Sequence, residues 1–109
     1  MPKYMAQVAY TAGAAAAFVA KPQDRVAGVK ALFEKAGGTL HSMDYCSGEY
    51  DIVLMLSAPD DATMAAIKLI VTAQGHCSAV HWTRLMSAED YMSAQQKANG
   101  MSYAAPARA

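Results

Sequence analysis

Five consecutive apolar residues, Ile52-Val53-Leu54-Met55-Leu56, follow directly on the turn-like stretch Gly48-Glu49-Tyr50-Asp51. A strand with one wet face alternates apolar and polar side chains, so an unbroken apolar run describes a strand covered on both faces. In a chain of 109 residues, its own helices suffice to cover one face. The other face calls for a second copy, which makes a homodimer or higher homo-oligomer with a sheet-lined interface the first expectation.

At 11.5 kDa the chain is sized for one domain with a modest core. Nine Lys and Arg balance nine Asp and Glu, and no basic stripe occurs, which argues against nucleic acid or an anionic membrane surface as partner. Met1-Pro2-Lys3-Tyr4 opens without a signal-like apolar region, and no apolar run approaches the roughly 20 residues of a membrane span. A soluble cytoplasmic protein is expected.

The periodicity lays out the elements in order. Residues 3–11 alternate as a first strand, with Tyr4, Ala6, Val8 and Tyr10 on one face. The Ala-rich stretch 12–20 reads as a short helix or a turn: its alanines favour helix and Gly13 opposes it. A helix is expected from Pro22 to Ala36, with Pro22 in the first turn and Gly37-Gly38 as its stop. Strands follow over 39–46 and 50–57. A second helix spans 61–74, capped by Asp60-Asp61, with Met64, Ile67, Ile70 and Val71 on its buried side and Gly75 closing it. A fourth strand covers 77–86, and Ser87 caps a polar helix to about Ala98. Residues 1–98 make the domain, and 99–109 are expected to be a flexible tail.

This βαββαβ order with an extra C-terminal helix is that of a ferredoxin-like α+β sandwich. Its antiparallel sheet runs 4-1-3-2 with helices on one face, and the bare face pairs protomers in a dimeric α/β-barrel type of assembly. An even-length loop between strands two and three puts His41, Met43 and Tyr45 on the face of Tyr50, Ile52, Leu54 and Leu56. Leu40, Ser42, Asp44 and Cys46 then join Asp51, Val53, Met55 and Ser57 on the other. An odd-length loop swaps the relation.

The strand-one phrase Tyr4…Gln7-Val8-Ala9-Tyr10-Thr11, the Lys21-Pro22-Gln23-Asp24-Arg25 segment, Gly37-Gly38 and the Gly48-Glu49-Tyr50-Asp51 turn together resemble the GYD-domain family. The similarity spans about residues 3–90. The turn also resembles that of the effector-binding domain of Lrp/AsnC-type regulators, although no helix-turn-helix precedes it here. The resemblance implies oligomerisation and small-molecule binding between protomers near the turn, and it carries no ligand identity.

Asp51 is the foremost ligand-binding candidate, a carboxylate at the expected mouth of an intersubunit cavity. The plainer reading has it accept backbone N–H bonds and fasten the hairpin. Tyr50, Asp44, His41 and His81 are the further candidates, each set against a packing role. Gly48 is expected to supply positive φ in the turn, with Glu49 solvated beside it. His41, Cys46, His76, Cys77 and His81 form no C-x-x-C or H-x-x-x-H pair, so no metal and no other cofactor is expected. The two cysteines fall on opposite sheet edges, roughly 14 Å apart, too far for a disulfide.

The leading expectation is an oligomeric small-molecule-binding or accessory domain, leaning away from enzymatic activity. The alternatives are a cofactor-independent enzyme of the dimeric α/β-barrel type, of monooxygenase or isomerase character, and a structural assembly subunit. In the enzyme, Asp51, His41, His81 or Tyr10 would serve as acid and base.

Overall fold

The protein is described from a computed structural model, over residues 1–107. Four strands, β1 (Lys3–Tyr10), β2 (Thr39–Tyr45), β3 (Ile52–Ser57) and β4 (Cys77–Arg84), form one antiparallel sheet ordered β2-β3-β1-β4. This is the ferredoxin-like α+β arrangement that the element order implies. Helices α1 (Ala12–Ala20), α2 (Val26–Lys35), α3 (Asp61–Ala73) and α4 (Ala88–Asn99) complete the chain. Residues 101–107 of the expected tail carry no regular structure, and 108–109 lie outside the described residues.

The apolar run of β3 turns out to alternate in depth. Ile52, Leu54 and Leu56 are at most 3% exposed, whereas Val53 and Met55 are half-buried. Tyr4, Ala6 and Val8 join the first set from β1, and Phe33, Met64 and Ile67 close over them from α2 and α3. The helices therefore seal one face. On the other, cross-strand pairing lines up Asp44, Val53, Gln7 and His81 in one row, and Ser42, Met55, Met5 and Thr83 in the next.

Several local expectations are corrected by capping chemistry. The 12–20 segment is a helix: the Thr11 hydroxyl accepts the Ala14 N–H at 3.1 Å and caps it, so Thr11 ends no strand. The next helix starts at Val26 rather than at Pro22. Asp24 Oδ1 accepts the Val26 N–H at 2.9 Å and holds Pro22 to Arg25 as a connecting turn. In α3 the buried stripe is Met64, Ile67 and Val71, while Ile70 is 48% exposed on the flank beside Leu69. The cap by Asp60, through the Thr63 N–H, and the positive φ of Gly75 stand as expected.

The hairpin between β2 and β3 has a six-residue loop, 46–51, with Tyr45 paired to Ile52. An even loop gives the expected faces for Met43, Tyr45, Ile52 and Leu54. A bulge at His41 breaks the pattern beyond that point. Leu40 pairs with Leu56 and packs on the core, not on the bare face. His41, expected on the helix side, sends Nε2 to the Ser57 hydroxyl at 2.7 Å, because the extra residue rotates it out of register. Gly48 has no positive φ; among the described glycines only Gly37 and Gly75 do. Six residues spread the reversal so that no position needs the left-handed region.

Candidate functional site

Between the helix-covered side of the sheet and the helices lies a partly open cavity of about 300 Å³. Its floor is strand: Ala6, Val8 and Tyr10 of β1 beside Val80 and Trp82 of β4. The small side chains of Ala6 and Val8 leave depth in the middle of the floor. Its roof comes from α1 (Ala14, Ala17, Phe18), α2 (Val29, Leu32) and α3 (Ile67, Val71). Alanines again keep the α1 wall back from the floor.

Aromatic edges hold the two ends. Trp82 meets Tyr4 at 5.7 Å between ring centroids, inclined 80°, and Tyr10 meets Phe18 at 4.9 Å, inclined 75°. Both are edge-to-face contacts, the arrangement that ring quadrupoles favour. Tyr4 is fully buried and its hydroxyl donates to Asp61 Oδ1 at 2.6 Å. Burial first, and that hydrogen bond second, push its pKa up.

Tyr10 is the polar group set into the apolar wall. Burial, reinforced by Tyr45 and Cys77 nearby, pushes its phenol up to about 12, and the charge of Arg25 pulls in the opposite direction. Burial likewise raises the Cys77 thiol, which lines the cavity one step along the sheet. At neutral pH both groups are protonated. The site therefore sets a hydroxyl donor and a thiol in a mainly apolar wall, with Gln23, Arg25, Lys68, Gln74 and His76 also lining it.

The residues singled out in the sequence converge only in part. Asp51 Oδ2 accepts the Tyr10 N–H at 2.7 Å, and the Asp51 N–H donates to the Val8 carbonyl at 2.8 Å. The carboxylate thus extends the β1–β3 ladder past its last regular pair and fixes the backbone that carries the Tyr10 ring. Tyr50 and His81 flank a second, more open hollow of about 330 Å³, which shares Lys68, Cys77 and Val80 with the main cavity. Although slightly larger, this hollow is shallower and half polar, so the deeper, mainly apolar cavity is the better ligand site. Asp44 lies across the sheet from His81, three strand spacings or roughly 14 Å away, so one protomer does not bring them together. His41 is held by Ser57. Cys46 and Cys77 are free thiols, the first giving its hydrogen to the Tyr50 carbonyl at 3.0 Å.

The sequence candidates for the ligand lie around the hairpin and the bare face, whereas this cavity lies on the helix side of the sheet, with Tyr10, an acid–base candidate in the sequence, in its wall. The signal was present in Ala6, Ala14 and Ala17: small residues at positions where a full core wants large ones.

With this geometry in place, comparison with known proteins adds one finding. The model of the GYD domain family matches residues 4–94, which takes in all four strands and the helices that roof the cavity, and the chain belongs to that family. No curated protein and no solved structure matches it.

Proposed function

We propose that this GYD-domain protein is an oligomeric small-molecule-binding domain, and that the ligand occupies the cavity between sheet and helices. The observation that carries the reading is the cavity itself. Its volume of about 300 Å³ is at the lower end of the roughly 300–1,000 Å³ range of small-molecule sites. Its wall is mainly apolar and aromatic with a few polar groups, the Tyr10 hydroxyl among them, the composition such sites share. Burial of a compact hydrophobic ligand there supplies the affinity, and the neutral Tyr10 phenol, positioned by Asp51, donates a hydrogen bond that orients it.

Binding is favoured over acid–base catalysis by the direction of the Tyr10 pKa. A general base works best when its pKa lies near the working pH, and a phenol raised to about 12 keeps its proton. The self-association belongs to the bare face, where Met5, Val53 and Met55 are half-buried in the isolated protomer. Asp44 and His81, at opposite edges of that face, meet a ligand together only if a second protomer brings them there.

The sole tryptophan, Trp82, lies in the cavity wall and reports on occupancy. Titrating a panel of small aromatic and aliphatic compounds should change its emission saturably for at least one class. Ala17→Leu fills the cavity from an exposed helix position and should abolish that change without lowering the melting temperature. Equal binding by wild type and Ala17→Leu would refute the cavity as the site.

A further inference from the structure

Beside Gln23, Gln74 and His76, the Lys, Arg, Asp and Glu side chains that line the cavity are of one sign. Arg25, at the head of α2, and Lys68, in the middle of α3, both line it, and no Asp or Glu does. Both cations are exposed, so their charged ends sit at the rim while their stems border the apolar wall. Gly28 allows this placement for Arg25. A Cβ there would lie 3.3 Å from the guanidinium Nη2, so the bare glycine lets the side chain fold back over the first turn of α2. The guanidinium is close enough to act on the Tyr10 phenol inside the cavity.

Neither cation has an ion-pair partner among the described residues. Among the described residues the ion pair found is Arg84 with Asp61, on a different part of the surface. Asp24, next to Arg25 in the chain, accepts the Val26 N–H at Oδ1, and Asp51 Oδ2 accepts the Tyr10 N–H. A ligand in this cavity therefore meets an apolar floor, a hydroxyl donor at one end, and two uncompensated positive charges at the mouth.

We infer that the ligand is an amphipathic carboxylate, an aromatic or aliphatic body inside the cavity with its anionic head at the rim between Arg25 and Lys68. This rests on the cavity reading above and adds the charge of what fills it. Arginine offers a paired donor fork that matches a carboxylate, and lysine adds a point charge. Tyr10 then donates to a carboxylate oxygen or to a hydroxyl on the body.

Three matched probes separate the two claims: 4-phenylbutyrate, 4-phenylbutanol and 4-phenylbutylamine, which share one apolar body and differ in the head. Each is titrated into the intact protein at low ionic strength, with Trp82 emission and calorimetry as readouts. The acid should bind about tenfold or more tightly than the alcohol, and the amine more weakly than both. Raising the salt should narrow the difference. In Arg25→Gln/Lys68→Gln the acid should fall to the affinity of the alcohol, whose own binding stays unchanged. Arg25→Glu/Lys68→Glu should reverse the order in favour of the amine. Both pairs are exposed substitutions, and the melting temperature checks that they fold. Equal binding of acid and alcohol to wild type would overturn the anionic head and leave the cavity reading standing. Silence from all three probes at millimolar concentration would overturn both.

Discussion

Tyr10 shows how one side chain is tuned by several neighbours. Asp51 fixes its backbone, Phe18 packs against its ring, and burial raises its phenol to about 12. Because the unfolded phenol titrates near 10.0, the folded chain keeps a proton that the unfolded chain releases between those values. The stability linked to this group is whole below pH 10 and is lost as the pH rises toward 12. Tyr4 is shifted in the same direction and adds to the effect. Thermal unfolding followed from pH 9 to 12 should show a falling melting temperature, and Tyr10→Phe should flatten the curve while Tyr4 keeps it from becoming level. An unchanged slope in Tyr10→Phe would mean that the phenol titrates freely. The Asp51 carboxylate accepts a backbone N–H as in the plainer sequence reading, but from β1 and not from its own hairpin. Its bond to the Tyr10 N–H fastens β1 to β3, and bonds of that charge-assisted kind contribute about 1.5–3 kcal/mol. An effect on ligand binding would come through Tyr10.

At the scale of elements, the connections decide how closely layers approach. Gly37 and Gly38 both separate α2 from β2, for unlike reasons. Gly37 takes φ of 85°, the usual left-handed ending of a helix. Gly38 has an ordinary φ but lies against β3: a Cβ there would stand 2.4 Å from the Ser57 carbonyl oxygen. Gly38→Ala must push backbone against backbone, which should cost roughly 1–3 kcal/mol by denaturant unfolding. Gly48, in the hairpin loop, has open space around its Cα and no positive φ. Gly48→Ala should therefore stay within about 0.5 kcal/mol of wild type. The reverse ranking would mean that the loop, not the helix–sheet junction, is the constrained turn.

The whole molecule exposes more than a protomer of its mass should. A folded monomer of 11.5 kDa has an accessible surface of about 5,800 Å², against 7769 Å² here. The radius of gyration is 18.1 Å, where a compact chain of this length gives about 13 Å. Part of the excess comes from α4, which buries no side chain and leaves Tyr91 and Met92 exposed, and from the residues after it, where Met101 and Tyr103 are exposed. A surplus of roughly 2,000 Å² is ample for the ~800 Å² that each partner contributes to a standard interface. That leaves room for self-association, which we assign to the bare face. Val53→Asp should yield a folded monomer by sedimentation and circular dichroism, since Val53 is half-buried within the protomer. Leu54→Asp should unfold the chain, because Leu54 is 3% exposed in its core. A wild-type monomer at micromolar concentration would remove the basis for the interface.

The sequence alone determined the element order, the place of the strands in the sheet and the faces of β1 and β3. Those properties follow from short-range periodicity and from chirality rules that leave few topologies open. It also carried the family, through Gly37-Gly38 and the Gly48 to Asp51 turn. Tertiary structure alone decided where the space is. The bulge at His41 moves Leu40 into the core, and a bulge of one residue leaves no mark on hydrophobic alternation that a shift in strand ends would not also leave. Ile70 belongs to the same helical stripe as Ile67 by spacing, and only the position of α3 over β4 leaves it outside. The cavity depends on Ala14, Ala17 and Phe18 of α1, Phe33 of α2, and the long cations Arg25 and Lys68 meeting over Ala6 and Val8 of the sheet. A vacancy is a property of the distance between layers, and no single stretch of chain encodes that distance.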